Sequence, residues 1–161
     1  MPYYSRDGLN FHYECYGTSK ESILFIHGYT GDISDWQNQI DYFKNHYTVL
    51  TLDVRGHGLT DAPRDRSKYT RSIMGDDVIS LVKFLDFNNF HVVGHSMGGG
   101  IAQYIALQIP KYIRTLTLIS SSFRIRPEED PELSDWLQSR HNMAEELGMI
   151  AVSNQKPLVP N

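Results

Sequence analysis

Phe90-His91-Val92-Val93-Gly94-His95-Ser96-Met97-Gly98-Gly99-Gly100 carries a short apolar run through a G-x-S-x-G pattern into a segment that stays amphipathic to Ile109. The apolar run reads as a strand and the segment after it as a helix. In that setting the pattern describes a turn so tight that only small flanking residues let strand and helix approach. Gly94 and Gly98 supply the room, and Gly99 and Gly100 extend it. The turn strains the serine backbone and lifts the Ser96 hydroxyl to the top of the sheet, beside a helix N-terminus. Free N–H groups and the helix dipole favour a developing oxyanion there. Ser96 is the candidate nucleophile.

Outward from this turn, strands and helices alternate. Leu9 to Tyr16 reads as a strand, with a shorter one near Pro2–Ser5 before an Asp7-Gly8 turn. Ile23-Leu24-Phe25-Ile26 is continuously apolar, as in a strand buried on both faces. A glycine-punctuated loop, His27-Gly28-Tyr29-Thr30-Gly31, follows it. Ser34 is placed as the N-cap of a helix to about Asn45, with Trp36, Ile40 and Phe43 on one stripe. Tyr47 to Leu52 is the next strand, closed by Asp53-Val54-Arg55-Gly56-His57-Gly58. Thr70 to Phe87 carries Ile73, Val78, Leu81, Val82 and Leu85 at helical spacing, and Ile113 to Ser120 is a further strand. This alternation implies right-handed crossovers and a mostly parallel, doubly wound α/β sheet.

The 161 residues carry a formal net charge of −4 with 21% charged side chains, the balance of an ordinary globular domain. There is no basic stripe for nucleic acid: Arg64, Arg66, Lys68 and Arg71 are interleaved with Asp61, Asp65, Asp76 and Asp77. No apolar stretch approaches the ~20 residues that span a bilayer, so no membrane partner is expected. Cys15, alone in the sequence, is expected to be a buried thiol, and the lack of a leader-like start suggests the cytoplasm.

Three motifs fall at strand C-terminal ends, where open parallel sheets place their ligands: His27-Gly28-Tyr29, Asp53-Val54-Arg55-Gly56-His57-Gly58 and the Ser96 turn. Together they resemble the α/β-hydrolase fold superfamily, and among its members the small bacterial serine hydrolases: meta-cleavage product hydrolases, enol-lactonases and carboxylesterases. The resemblance runs from about Leu9 to Ser122. It implies Ser96 as nucleophile, with the backbone N–H groups of Tyr29 and Met97 as the oxyanion hole. It also implies Gly28 and His95 at the substrate pocket, no metal and no cofactor. A serine rather than a carboxylate nucleophile argues against haloalkane dehalogenases and epoxide hydrolases. The implied substrates are small carboxylic esters, lactones or related acyl and C–C compounds.

The remaining polar residues of the motifs read as structural. His27 and His57 are expected to hydrogen-bond loop backbone, Asp53 and Arg55 to form an ion pair beneath the site, and Trp36 to belong to the core. In the superfamily the chain order is Ser, then an acid, then His. Residues 1–122 form the hydrolase core and 123–161 read as the start of a helical cap, with a helix from Leu133 to Leu147. His141, Asp130 and Asp135 lie in that cap, and Ser120-Ser121-Ser122 holds no carboxylate. The base and acid are therefore expected from segments absent here, or His141 from a neighbouring copy. The sheet is expected to be C-terminally incomplete, with Ile113, Leu116, Leu118 and Ile119 open to a second chain or another copy. A non-catalytic homologue that binds a small ligand or a partner is the alternative.

Overall fold

The computed structural model describes residues 2–121 and, beyond them, residues 135, 138, 139, 142, 143 and 146. The chain divides into two compact units, Met1–Ser122 and Phe123–Asn161. Of the helix expected between Leu133 and Leu147, the described residues Asp135, Gln138, Ser139, Asn142, Met143 and Glu146 are helical. His141 and Asp130 lie outside the described residues.

The first unit is a six-stranded sheet in the order β1-β2-β4-β3-β5-β6. Its strands are β1 (Tyr3–Arg6), β2 (Leu9–Tyr16), β3 (Ser22–Ile26), β4 (Thr48–Leu52), β5 (Phe90–His95) and β6 (Ile113–Ile119). β3, β4, β5 and β6 pair in parallel, while β2 pairs antiparallel with both β1 and β4. Helix α1 (Gln37–Phe43) follows β3, α2 (Arg71–Phe84) follows β4, and α3 (Met97–Gln108) follows β5.

Winding leaves β3 toward β4 on one side and β5 on the other. That reversal puts α1 on one face and α2 with α3 on the opposite face, and it opens a crevice at the C-terminal ends of the central strands. Side-chain alternation along β3 explains both layers. Ile23 and Phe25 pack with Ile33, Trp36, Ile40 and Val49, whereas Leu24 and Ile26 pack with Val78, Leu81, Ile101 and Ile105. The uninterrupted apolar run of β3 is thus required on both faces, as its composition predicts.

Several boundaries differ from the expectation for local reasons. The helix expected from Ser34 begins as a 3-10 turn, Ile33–Trp36, and its cap is Asp32, whose carboxylate accepts the Ser34 N–H. An aspartate two residues earlier outcompetes serine because its charged oxygen meets the helix N-terminus. Thr70 caps α2 by accepting the Ile73 N–H at 3.3 Å. Cys15 is exposed rather than buried, although it shares a face of β2 with the buried Phe11 and with Tyr13, because the cover over that face does not extend to it. Trp36 and Ile40 lie in the core as expected.

Candidate active site

Ser96 stands between β5 and α3 with φ 51° and ψ −114°, a left-handed backbone on a residue that carries a side chain. Close packing enforces it. A Cβ on Gly94 would lie 2.4 Å from the Gly98 carbonyl oxygen. One on Gly98 would lie 2.3 Å from the Ile26 oxygen and 2.4 Å from that of His27. These are backbone atoms and cannot yield, so glycine is obligatory at both positions. The Ser96 residue is exposed, and its hydroxyl makes no hydrogen bond to any described residue.

The same contact sets the first turn of α3 against the end of β3, where the His27–Gly31 loop begins. This loop closes with a Gly31 N–H bond to the Gly28 carbonyl at 3.1 Å. His27 is buried; its Nε2 accepts the Val54 N–H at 3.0 Å and its Nδ1–H donates to the Gly28 carbonyl at 2.8 Å. Burial, the largest influence, pushes its pKa down to about 4. Tyr29 is 42% exposed and rests edge-on against the His57 ring, centroids 5.9 Å apart. The His95 Nδ1 atom would be 2.8 Å from a Cβ on Gly28, so that glycine gives the imidazole its place beside the loop. Met97 is half-buried and its side chain packs on the larger core cluster.

A family model described as "alpha/beta hydrolase fold" matches residues 21–147. The chain belongs to the α/β-hydrolase fold family. It is 36% identical over 117 residues to the dihydrolipoyllysine-residue acetyltransferase component of an acetoin cleaving system from Cupriavidus necator, covering 71% of this chain and 30% of that protein. It is 35% identical over 114 residues to epoxide hydrolase 4 of Homo sapiens, covering 70% of this chain and 32% of that one. The enol-lactonase structure from Burkholderia xenovorans LB400 superposes with TM-score 0.80 at 29% identity, over 94% of this chain and 56% of that chain. The chain thus spans about a third of the length of these curated relatives. The fold is that of the α/β hydrolases, and hydrolases are among the relatives.

Within this hydrolase fold, the loop after β4 is organised by Asp53, which is buried. One carboxylate oxygen accepts the Ile33 N–H at 2.9 Å; the other accepts the Leu59 N–H at 2.9 Å and bonds His12 Nδ1 at 2.7 Å. The expected Asp53–Arg55 ion pair does not form. Arg55 turns to α2 and grips Asp77 through Nε and Nη2 at 2.7 and 2.8 Å, and Arg6 adds a third bond at 2.9 Å. The Asp53 oxygens are already filled by loop amides and a histidine, and the guanidinium fork suits the unfilled carboxylate of Asp77. His57 does bond loop backbone, donating from Nδ1 to the Arg55 carbonyl at 3.1 Å.

Asp53 does fix the loop, as its place at a strand end suggests, but through loop amides and His12 in place of Arg55. A Cβ on Gly58 would lie 2.2 Å from the Asp53 carboxyl carbon, so the loop wraps that group closely. Among the described residues no three His, Cys, Asp or Glu side chains converge as a metal site. No described helix is long and apolar enough to cross a membrane.

Proposed function

We propose that this protein is a serine hydrolase of small carboxylic esters, lactones or related acyl and C–C substrates. The observation that carries the reading is the strained Ser96 backbone at the β5–α3 junction, which leaves an exposed hydroxyl at a helix N-terminus. Ser96 Oγ attacks the acyl carbon as its proton passes to a base. The tetrahedral oxygen accepts the Tyr29 and Met97 N–H groups, each worth about 3 kcal/mol in the transition state. Collapse breaks the bond to the leaving group, which takes the proton, and water then releases the acid from the acyl-enzyme. Gly28 and His95 border the pocket, and no metal or cofactor takes part.

The base and its orienting acid come, on this reading, from segments outside this chain. The Ser96 hydroxyl lacks a hydrogen-bond partner among the described residues, so the base is sought outside them. The exposed apolar side chains of β6, Leu116, Leu118 and Ile119, at 39–41% exposure, suit the edge at which a second chain or another copy of this one joins the sheet. Residues 1–122 would form the hydrolase core, 123–161 the start of a cap, and the cytoplasm the working compartment.

The unpartnered hydroxyl also motivates a second reading, a homologue that binds a small ligand or a partner without turnover. An active-site-directed fluorophosphonate separates the two. Stoichiometric labelling that disappears in Ser96→Ala supports the hydrolase. Absence of labelling, both alone and with a supplied C-terminal hydrolase segment, supports the binding protein.

A further inference from the structure

Both backbone groups of Ser96 are met by the end of β6. Its N–H donates to the Ile119 carbonyl at 2.9 Å, and its carbonyl accepts the Ser121 hydroxyl at 3.0 Å. That hydroxyl also lies 3.2 Å from the Ile119 carbonyl oxygen, so it sits between the two carbonyls that bracket the Ser96 peptide. The remaining bonds to the Ser96 carbonyl, from Gly99 N–H at 3.0 Å and Gly100 N–H at 3.3 Å, belong to the start of α3. They move with the helix and cannot fix the serine against the sheet. Among the described residues, the contacts that tie the Ser96 peptide to the neighbouring strand come from Ile119 and Ser121.

Two further details fit the hydroxyl to this place. Ser120 has φ 47°, a left-handed turn that swings the chain back at the strand end and aims Ser121 at Ser96. On α3, a Cβ at Gly99 would fall 1.7 Å from the Ser121 oxygen. The helix is therefore bare at the one point where the hydroxyl needs room. A left-handed backbone on a non-glycine residue persists only where its surroundings over-determine it, and here they include a side chain 25 residues downstream.

We propose that Ser121 is a positioning residue for the Ser96 nucleophile, its hydroxyl locking the strained turn to the end of β6. The proposal rests on the reading of Ser96 as nucleophile. Its consequence is that the direction of the Ser96 side chain depends on a group that never touches substrate.

The test compares Ser121→Ala and Ser121→Thr in the full chain by two readouts. The first is hydrogen exchange at the Ser96 amide, with Leu24 in the sheet core as control. The second is the fluorophosphonate reaction, resolved into its maximal rate and its half-saturating concentration. Ser121→Ala is expected to speed Ser96 exchange about tenfold with Leu24 unchanged, and to slow the maximal labelling rate about tenfold at constant half-saturation. Ser121→Thr, which keeps the hydroxyl, is expected to restore both to within about threefold. Unchanged Ser96 exchange in Ser121→Ala overturns the proposal, as does equal acceleration at Leu24 or failure of threonine to restore. A wild-type chain that labels neither alone nor with the supplied C-terminal hydrolase segment overturns the nucleophile reading instead, and the exchange measurement then decides the role of Ser121 alone.

Discussion

The Nε2 atom of His27 accepts the backbone N–H of Val54 at 3.0 Å, which ties the loop after β3 to the loop after β4 through the lone pair of a neutral imidazole. The other nitrogen donates to the Gly28 carbonyl, so only one tautomer satisfies both ends. Protonation would set an N–H against an N–H.

Stability should accordingly fall in acid. Burial lowers the His27 pKa from 6.5 to about 4, so between those values the unfolded chain binds the proton and the folded chain does not. The contribution is present above the unfolded pKa and lost as pH drops toward about 4, a change on the order of 3 kcal/mol. Urea unfolding at pH steps from 7 to 4 measures it. A His27→Gln variant, which cannot titrate, should show a flatter slope across that window.

Ser96→Gly should raise stability while abolishing labelling. Glycine adopts φ 51° without strain, a relief of about 1–3 kcal/mol partly offset by the greater entropy of the unfolded chain. A net gain of about 1 kcal/mol is expected from the urea midpoint. Ser96→Ala keeps the strain and should sit close to wild type. A less stable glycine variant would mean that the turn costs nothing.

Arg55→Met should be among the most damaging substitutions away from the nucleophile. It leaves the buried Asp77 carboxylate held by Arg6 alone, and breaking such a pair costs about 3–5 kcal/mol. The double variant Arg55→Met with Asp77→Leu removes the stranded charge as well and should recover most of the loss. Thermal unfolding of the two singles and the double closes the cycle; simple additivity would contradict it.

Glycines differ in what they protect. Gly8 has φ +79° with no atom within 4 Å of an added Cβ, so Gly8→Ala should cost only the backbone term, about 1 kcal/mol. Gly98→Ala drives a Cβ into two carbonyl oxygens of the chain and should cost about 3 kcal/mol or more. Parallel melts rank them directly.

The strands and helices of the first unit are legible because their patterning is strong. The unbroken run Ile23–Ile26 and the alternation of Phe90, Val92 and Gly94 state burial directly. Gly94 and Gly98 likewise announce a close approach that the structure contains. Pairing of charges was not legible. Asp53 and Arg55 are neighbours in sequence yet find different partners, because side-chain direction past a strand end depends on which loop amides are already seeking an oxygen. Nor did Ser121 stand out: the middle serine of Ser120-Ser121-Ser122 has no local pattern, and its meaning arises only when β6 returns beside Ser96. The reading of Cys15 failed for a related cause, since alternation gives the face of a strand but not how far the covering layer extends.

The bond from Ile119 to Ser96 also bears on how the chain acquires its shape. The close approach at Gly94 and Gly98 is one hold on the left-handed Ser96; the other comes from β6, across the whole of α3. Phe90 pairs with Ile113 on one side and with Ser22 on the other, so the closure of β6 on β5 spans far fewer residues than that of β5 on β3 and costs less loop entropy. The contacts that β6 makes with Ser96 thus belong to a local β5–α3–β6 unit and do not depend on the longer closure onto β3. On the reading of Ser96 as nucleophile, the strand that directly follows its own helix is therefore what holds the reacting residue in place.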